Sequence, residues 1–169
     1  SSYNLLNNVI IENSDKGVSL SNSSNNNRLN NITARNNSES GIIIVGSDNN
    51  SLDKVTTTLN GKFVVDLRNA KNTILSNNTA VDNPLAEIYL REDPLTNPTL
   101  NSLLSNVIVS QSSNGSGLYT FNSLDNTMMN LVATENSNYG FQLEDSRNTF
   151  AGLIKVGNNG SVPDQCKSQ

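Results

Sequence analysis

The chain has 169 residues, a hydrophobic fraction of 34% and a net charge of −4 from 11 basic and 15 acidic residues. This length suits one domain. The basic residues form no run, so we expect no nucleic-acid partner. No stretch is long and apolar enough to span a bilayer. About a fifth of the residues are Asn, which leaves two alternatives: a disordered tract, or a fold that needs many left-handed and turn conformations.

The first element of each sequence unit is an Asn followed two residues later by an apolar residue. The steps between units are mostly about 22 to 25 residues, a period typical of solenoids. One step, between the fourth and fifth units, is longer. The repeated Asn positions are Asn4, Asn27, Asn50, Asn72, Asn101, Asn126 and Asn148.

Two further apolar pairs follow in most units, each alternating with period two, as in strands with one buried face. The second pairs are Val9/Ile11, Ile32/Ala34, Val55/Thr57, Thr79/Val81, Val107/Val109 and Leu131/Ala133. The third pairs are Val18/Leu20, Ile42/Ile44, Val65/Leu67, Ile88/Leu90, Leu118/Thr120 and Phe141/Leu143. This phasing argues against disorder and predicts an all-β, single-stranded parallel β-helix of about seven coils, with three short strands per coil.

The corners of this solenoid explain the abundance of Asn. The position just before the second strand is mostly Asn and once Gly, which predicts a positive φ there. Stacked Asn side chains can also hydrogen-bond from coil to coil. The predicted turn ladder is Asn8, Asn31, Lys54, Asn78, Asn106, Asn130 and Gly152.

Units such as NNITARNNSESGIIIVGSDNNSL and NTMMNLVATENSNYGFQLEDSRNTF resemble the right-handed parallel β-helix repeats of the pectate-lyase-like superfamily. In style they are most similar to the Asn-rich repeats of bacterial periplasmic and cell-surface β-helix proteins. The resemblance implies the right-handed coil and a secreted, periplasmic or cell-surface location. Several members of that superfamily cut or epimerise acidic polysaccharides with Asp clusters, bound calcium and a basic residue on an outward strand face.

We place the β-helix over residues 1–157 and expect residues 158–169 to be an irregular tail. Neither end carries a strong predicted cap, although an uncapped coil exposes strand edges and core side chains. We therefore expect a piece of a longer β-helix, or ends that stack on a partner, including end-to-end or side-by-side self-association.

The sequence offers little for catalysis or for cofactor binding. It contains no His, which removes the commonest general base and metal ligand. The single cysteine, Cys166, excludes a disulfide within this chain and makes no zinc site. A cysteine partner outside the chain and an idle thiol remain open alternatives. No phosphate-loop, dinucleotide or calcium-loop motif is present, so we predict no cofactor, no metal and no catalytic residues.

One outward face of the third strands gathers aromatic, basic and acidic residues from the middle coils. Such groups suit sugar rings or anionic glycans through apolar contact, hydrogen bonds and charge. The alternative is that they are ordinary stabilising cross-strand pairs. The candidate ligand-binding residues are Asp66, Arg68, Tyr89, Arg91, Tyr119 and Phe121.

The longer step in the repeat contains the segment REDPLTNPT, residues 91–99. Insertions in solenoids form loops on one face, often the binding face. Glu92 and Asp93 could offer carboxylates to calcium, but two adjacent acids fall short of a full oxygen shell. The alternative is a solvated loop that is stiffened by proline and has no binding role.

Three functional hypotheses remain at this point. The leading one is a non-catalytic extracellular or surface domain that binds a polysaccharide or a protein partner. The second is a carbohydrate-active enzyme of the lyase, hydrolase or epimerase kind, or a remnant of one. The third is a structural spacer of a longer surface fibre.

Overall fold

The computed structural model describes residues 1–91, 100–160 and 166–168, and these residues form an all-β parallel solenoid without a helix. Accordingly, this part of the chain has no helix with the length and hydrophobicity that a bilayer span requires. The strands are β1 Leu5–Glu12, β2 Lys16–Leu20, β3 Arg28–Arg35, β4 Ser40–Val45, β5 Ser51–Thr58, β6 Val65–Arg68, β7 Ile74–Ser76, β8 Thr79–Val81, β9 Ile88–Arg91, β10 Leu103–Ser110, β11 Leu118–Phe121, β12 Leu124–Thr134, β13 Phe141–Glu144, β14 Arg147–Gly157 and β15 Cys166–Ser168.

The strands form two sheets in which every pairing is parallel. Sheet A has eight strands in the order β1-β3-β5-β7-β10-β12-β14, with β8 pairing β5 and β10. Sheet B has seven strands in the order β15-β13-β11-β9-β6-β4-β2. The chain alternates between the sheets, so each coil stacks on the one before it. The result is a parallel β-solenoid of about six turns, close to the seven that the sequence predicts.

The first and second predicted strands of a coil join into one bent strand of sheet A. The bend lies at a residue of positive φ, such as Asn8 at 58° within β1 and Asn31 at 52° within β3. Their side chains stack, and the Asn31 amide donates to Asn8 Oδ1 over 2.7 Å. The other bend residues with positive φ are Lys54, Asn77, Asn106, Asn130 and Gly152.

The prediction for the bend of the fourth coil is wrong by one residue. Asn77 has the positive φ of 56°, whereas Asn78 turns inward and is buried. Asn78 Oδ1 accepts the backbone N–H of Val55, and its amide donates to the carbonyl of Leu52. The shift buries Ala80 and turns the flanking residues of β8 outward, the reverse of the predicted pair. The prediction failed because Asn77 and Asn78 are adjacent, and either asparagine can adopt the positive φ of the bend.

A similar one-residue shift affects the start of the fourth and fifth coils. Asn72 and Asn101 have positive φ and stand just before the repeated ladder position. That position is held by Thr73 and Ser102, and Thr73 donates its backbone N–H to Ser102 Oγ over 3.2 Å. In the other coils the predicted Asn residues form a ladder, in which the backbone N–H of one Asn donates to the side-chain Oδ1 of the Asn in the next coil. These bonds run from Asn4 to Asn27, from Asn27 to Asn50, and from Asn126 to Asn148.

The core lies between the sheets and consists of stacked rows of apolar side chains. The predicted third pairs all point inward on sheet B, and most of their side chains are fully buried. One inward row on sheet A contains Leu29, Leu52, Leu75, Leu104 and Met128, each with no exposed surface. Burial of these rows is the main stabilising contribution, because each side chain contacts its equivalents above and below.

The segment after β14 is not wholly irregular. Residues 166–168 form β15, which extends sheet B by pairing with β13. The predicted irregular tail, residues 158–169, therefore contains one short strand, and residues 161–165 and 169 lie outside the described part of the chain.

Candidate functional site

The candidate site is the outward face of sheet B in the middle coils. Two outward positions of each third strand line up across β6, β9, β11 and β13 through the parallel register. The first row is Asp66, Tyr89, Tyr119 and Gln142, and the second row is Arg68, Arg91, Phe121 and Glu144. The structure therefore brings all six predicted ligand-binding residues onto one outward face of sheet B, although the Asp66 side chain is fully buried there and cannot itself contact a ligand.

Asp66, Arg68 and Arg91 form what we call the arginine clamp. Arg68 Nε and Nη2 both donate to Asp66 Oδ2, over 2.8 and 2.6 Å. Arg91 donates to the same carboxylate from Nε over 3.1 Å and from Nη2 over 2.9 Å. The Asp66 side chain is fully buried, while Arg68 is 32% and Arg91 22% exposed. One buried negative charge thus orients two guanidinium groups, and the clamp carries one net positive charge at the surface.

Tyr89 and Tyr119 form a stacked pair beside the clamp. Their ring centroids are 4.7 Å apart and the rings are nearly parallel, at 7°. Tyr89 also contacts Phe63 with a centroid distance of 5.0 Å, and the Arg91 guanidinium lies 4.6 Å from the Tyr89 centroid. These contacts cover ring faces of Tyr89, so a ligand would meet ring edges and hydroxyl groups rather than an open face.

A polar network closes the other end of the site. Tyr119 donates its hydroxyl to Glu144 Oε2 over 2.6 Å, and Gln142 donates its amide to Glu144 Oε1 over 2.7 Å. Ser116 Oγ donates to Gln142 Oε1 over 2.8 Å. Burial raises the pKa of Tyr89, and burial together with the Glu144 hydrogen bond raises the pKa of Tyr119. Both phenols are therefore protonated at neutral pH and act as hydrogen-bond donors.

A cavity of about 320 Å³ opens between these strands and the corner that precedes them. Its volume is at the lower end of the range for small-molecule sites. Apolar groups cover one part of its wall, while amides and a hydroxyl line the rest. The lining residues are Phe63, Leu85, Ala86, Tyr89, Arg91, Asn114, Gly115, Ser116, Tyr119, Asn138 and Gln142.

A buried acid, Glu87, lies one residue before β9, next to the cavity wall. At this corner an Asn ladder runs from coil to coil, with Asn37 bound to Asn60 and Asn60 bound to Asn83. The next coil has Ser112 in place of Asn, and Glu87 supplies the missing acceptors. Glu87 Oε1 accepts the backbone N–H of Asn83 over 3.1 Å, and Oε2 accepts the Asn83 amide over 2.7 Å. Burial raises the pKa of Glu87 to about 8.

Sequence reasoning did not find Phe63, Glu87 or the lining corner residues. The sequence does distinguish Glu87 from its equivalents, because four other coils have glycine at the same position, namely Gly17, Gly41, Gly117 and Gly140. A charged residue in a glycine position marks either a surface turn or a buried polar contact. Phe63 lies before the third strand of its coil, so the inward–outward alternation of that strand does not include it.

Of the predicted loop at residues 91–99, Arg91 belongs to β9, and residues 92–99 lie outside the described residues, including the two acids considered for calcium, Glu92 and Asp93. Among the residues that the structure describes, no three His, Cys, Asp or Glu side chains are grouped closely enough to hold a metal ion.

The family of the chain follows from a comparison with protein-family models. Residues 1–106 match the model described as "right handed beta helix region". The chain belongs to this family. The match confirms the resemblance drawn from the repeats and the right-handed sense of the solenoid. A comparison with curated protein sequences finds no match.

The solved structures that are similar to this right-handed β-helix include two epimerases. The A-module of the mannuronan C-5 epimerase AlgE4 from Azotobacter vinelandii superposes with a TM-score of 0.74 at 12% identity, covering 98% of this chain and 55% of that one. The periplasmic alginate epimerase AlgG superposes with a TM-score of 0.53 at 14% identity, covering 88% of this chain and 51% of that one. The chain spans about half the length of these proteins, and at such identities the likeness shows the fold alone.

Proposed function

We propose that the outward face of sheet B binds an acidic polysaccharide, without modifying it. The observation that carries this proposal is the arginine clamp, in which a buried Asp66 aims two partly exposed guanidinium groups beside a cavity. Arg binds carboxylates in a planar, bidentate geometry. The clamp holds two Arg for one Asp, and a carboxylate ligand would add a second anion to this pair of guanidinium groups.

The cavity next to the clamp suits a sugar ring. Phe63, Leu85 and Ala86 offer an apolar wall for the C–H groups of a pyranose. Asn138 and Gln142 offer amides for its hydroxyl groups. Phe121, with 36% of its surface exposed, adds an apolar contact beside Arg91. A chain running across the coils would place a uronate carboxylate at the clamp and a neighbouring ring in the cavity.

The state of the titratable groups supports binding over catalysis. The carboxylate of Asp66 is fully buried and already accepts four hydrogen bonds from Arg68 and Arg91. Tyr89 and Tyr119 have raised pKa values, so neither phenol is a ready base at neutral pH. The site thus pairs two cations, Arg68 and Arg91, with the buried Asp66, while Glu144 already accepts hydrogen bonds from Tyr119 and Gln142. The two arginines are the groups that suit recognition of an anion.

The second candidate is a uronan-modifying enzyme. Its support is the similarity of fold to AlgE4, a mannuronan C-5 epimerase, and to AlgG, an alginate epimerase. AlgG is periplasmic, which supports a location outside the cytoplasm for this chain. Fractionation of the source cells would test that location.

The test of binding compares mannuronan oligosaccharides with neutral mannose oligosaccharides of equal length by isothermal titration calorimetry. We expect binding of the acidic series only, weakened by added salt because the key contact is ionic. Arg68→Gln should abolish it. Arg147→Gln is the matched control, because Arg147 forms an exposed ion pair with Asp125 on sheet A. Equal binding of neutral and acidic oligosaccharides, or full binding by Arg68→Gln, would overturn the proposal.

The enzyme candidate has a separate readout on the same samples. Proton NMR of the incubated oligosaccharide detects inversion at C-5, and ultraviolet absorbance detects the unsaturated ends that a lyase releases. Turnover in either assay, with and without calcium, would replace the binding proposal by the enzymatic one. Absence of both binding and turnover would favour the structural spacer.

A further inference from the structure

We infer that Asn114 is a site of spontaneous deamidation in the folded protein, and that Asn60 and Asn159 are protected from it. The chain contains three Asn-Gly pairs, at 60–61, 114–115 and 159–160. Glycine after Asn favours this reaction because it leaves the attacking backbone nitrogen uncrowded. The sequence makes the three pairs equivalent, and the structure separates them.

Asn60 and Asn159 are locked into the corner ladder. Asn60 is buried, its Oδ1 accepts the Asn37 amide over 2.9 Å, and its own amide donates to Asn83 and to a backbone carbonyl. Asn159 is equally buried, and its Oδ1 accepts the Asn136 amide over 2.9 Å. In both pairs the glycine nitrogen is also engaged, because its N–H donates to a carbonyl of the neighbouring coil over 2.8 Å at position 61 and 2.7 Å at position 160.

Asn114 differs in each of these respects. Its side chain is exposed at the rim of the cavity. Within residues 1–91, 100–160 and 166–168, its amide makes no hydrogen bond, and the N–H of Gly115 donates to no acceptor. The glycine itself is required, because a Cβ at position 115 would lie 2.7 Å from the carbonyl carbon of Leu85. The close packing of the corner therefore keeps a reactive pair at the site.

The reaction needs only water. The Gly115 nitrogen loses its proton and bonds to the Asn114 side-chain carbonyl carbon, the carbon–Nδ2 bond breaks, and ammonia leaves. Water then opens the resulting five-membered imide at either carbonyl. The product is aspartate or isoaspartate at position 114, each with one new negative charge.

This change would act on the cavity, which Asn114 lines together with Tyr89, Arg91 and Gln142. A carboxylate at the rim would repel an anionic ligand and compete with it for the exposed guanidinium groups. Ageing of the protein would then weaken binding of acidic sugars, a consequence that rests on the proposed function. The chemical modification itself does not depend on it.

The test incubates the purified chain in mildly alkaline buffer and follows each Asn-Gly peptide by mass spectrometry. We expect position 114 to gain the mass difference between NH₂ and OH, and Asn60 and Asn159 to react more than about tenfold more slowly, because their reaction requires opening of the ladder. In urea all three should react at similar rates. An acidic band should accumulate on isoelectric focusing of the native chain but not of Asn114→Gln.

An unmodified Asn114 in the folded chain would overturn the inference, as would equal reaction at Asn60. Calorimetry of fresh and aged protein with mannuronan oligosaccharides then tests the consequence. If the fresh protein binds and the fully modified protein binds equally well, the proposed effect of the modification on ligand binding is overturned. Failure of fresh protein to bind would reject the proposed function, while the mass data would decide the modification separately.

Discussion

Replacing Glu87 with Gln tests whether a buried acid controls how the stability of the solenoid depends on pH. Glu87 is completely buried and stands where four of the other coils have glycine and the preceding coil has Val64. Its two oxygens accept two hydrogen bonds from Asn83 and so complete the ladder at the coil that lacks an Asn. The acid therefore stabilises the corner through its hydrogen bonds, while its ionised form bears the cost of burial.

The direction of the effect follows from the pKa. The folded-state pKa is about 8, against an ordinary value of 4.5, so the folded state holds the proton more tightly than the unfolded state between these values. The stability from Glu87 is fully present below pH 4.5 and is lost as the pH rises towards 8. The slope reaches about 1.4 kcal/mol per pH unit, and the loss between about pH 5 and pH 8 is on the order of 3 to 4 kcal/mol.

The variant Glu87→Gln should flatten this pH dependence. Gln carries no titrating group, but it offers one acceptor where Asn83 presents two donors, so it should lose about 1 to 3 kcal/mol at low pH. We therefore expect the wild type to be more stable near pH 5 and the variant to match or exceed it near pH 8.

The assay is urea unfolding followed by circular dichroism at several pH values. Glu39→Gln is the matched control, because the Glu39 side chain is 40% exposed and ion-paired with Lys16 and Lys62, and its loss should change stability by less than about 1 kcal/mol. Parallel pH profiles for the wild type and Glu87→Gln would refute the assignment of the pH dependence to Glu87.

Three further substitutions test the packing of the coils by urea unfolding. Thr120→Val should raise the free energy of unfolding by about 1 to 2 kcal/mol, because the buried Thr120 Oγ1 has no hydrogen-bond partner in a row of leucines; a loss of stability would contradict this. Thr73→Asn should raise the free energy of unfolding by about 1 kcal/mol. The buried amide nitrogen of Asn50 lacks a hydrogen-bond partner, and an Asn side chain at position 73, one coil away, would offer it an acceptor. An unchanged or lower value would show that the missing Asn at position 73 does not weaken the ladder. Asn60→Ala should lower the free energy of unfolding by about 3 kcal/mol, since the Asn37 donors lose their acceptor, and a loss under 1 kcal/mol would show that water replaces the rung.

The third strands were predicted correctly from the sequence because their signal is redundant. A glycine or polar turn precedes an inward apolar pair in nearly every coil, and a one-residue slip would expose the whole pair. The same register places Asp66 beside Tyr89 and Arg68 beside Arg91, so the grouping of these four residues could be predicted as well.

The errors arose where one residue type serves two positions. Asn suits both the bend and the buried ladder, so the doublet Asn77–Asn78 gave no way to choose between them. The burial of Asp66 was also out of reach of the sequence, because it depends on both guanidinium groups folding over one carboxylate. The cavity required the corner residues, whose positions follow from packing rather than alternation.

The most direct test of the central claim is calorimetric titration of mannuronan oligosaccharides into the wild type, Arg68→Gln and Arg147→Gln. We expect salt-sensitive binding by the wild type and by Arg147→Gln, and none by Arg68→Gln, with unfolding curves showing that all three are folded. Binding that persists in Arg68→Gln, or that is lost equally in both variants, would contradict the assignment of the arginine clamp as the carboxylate site.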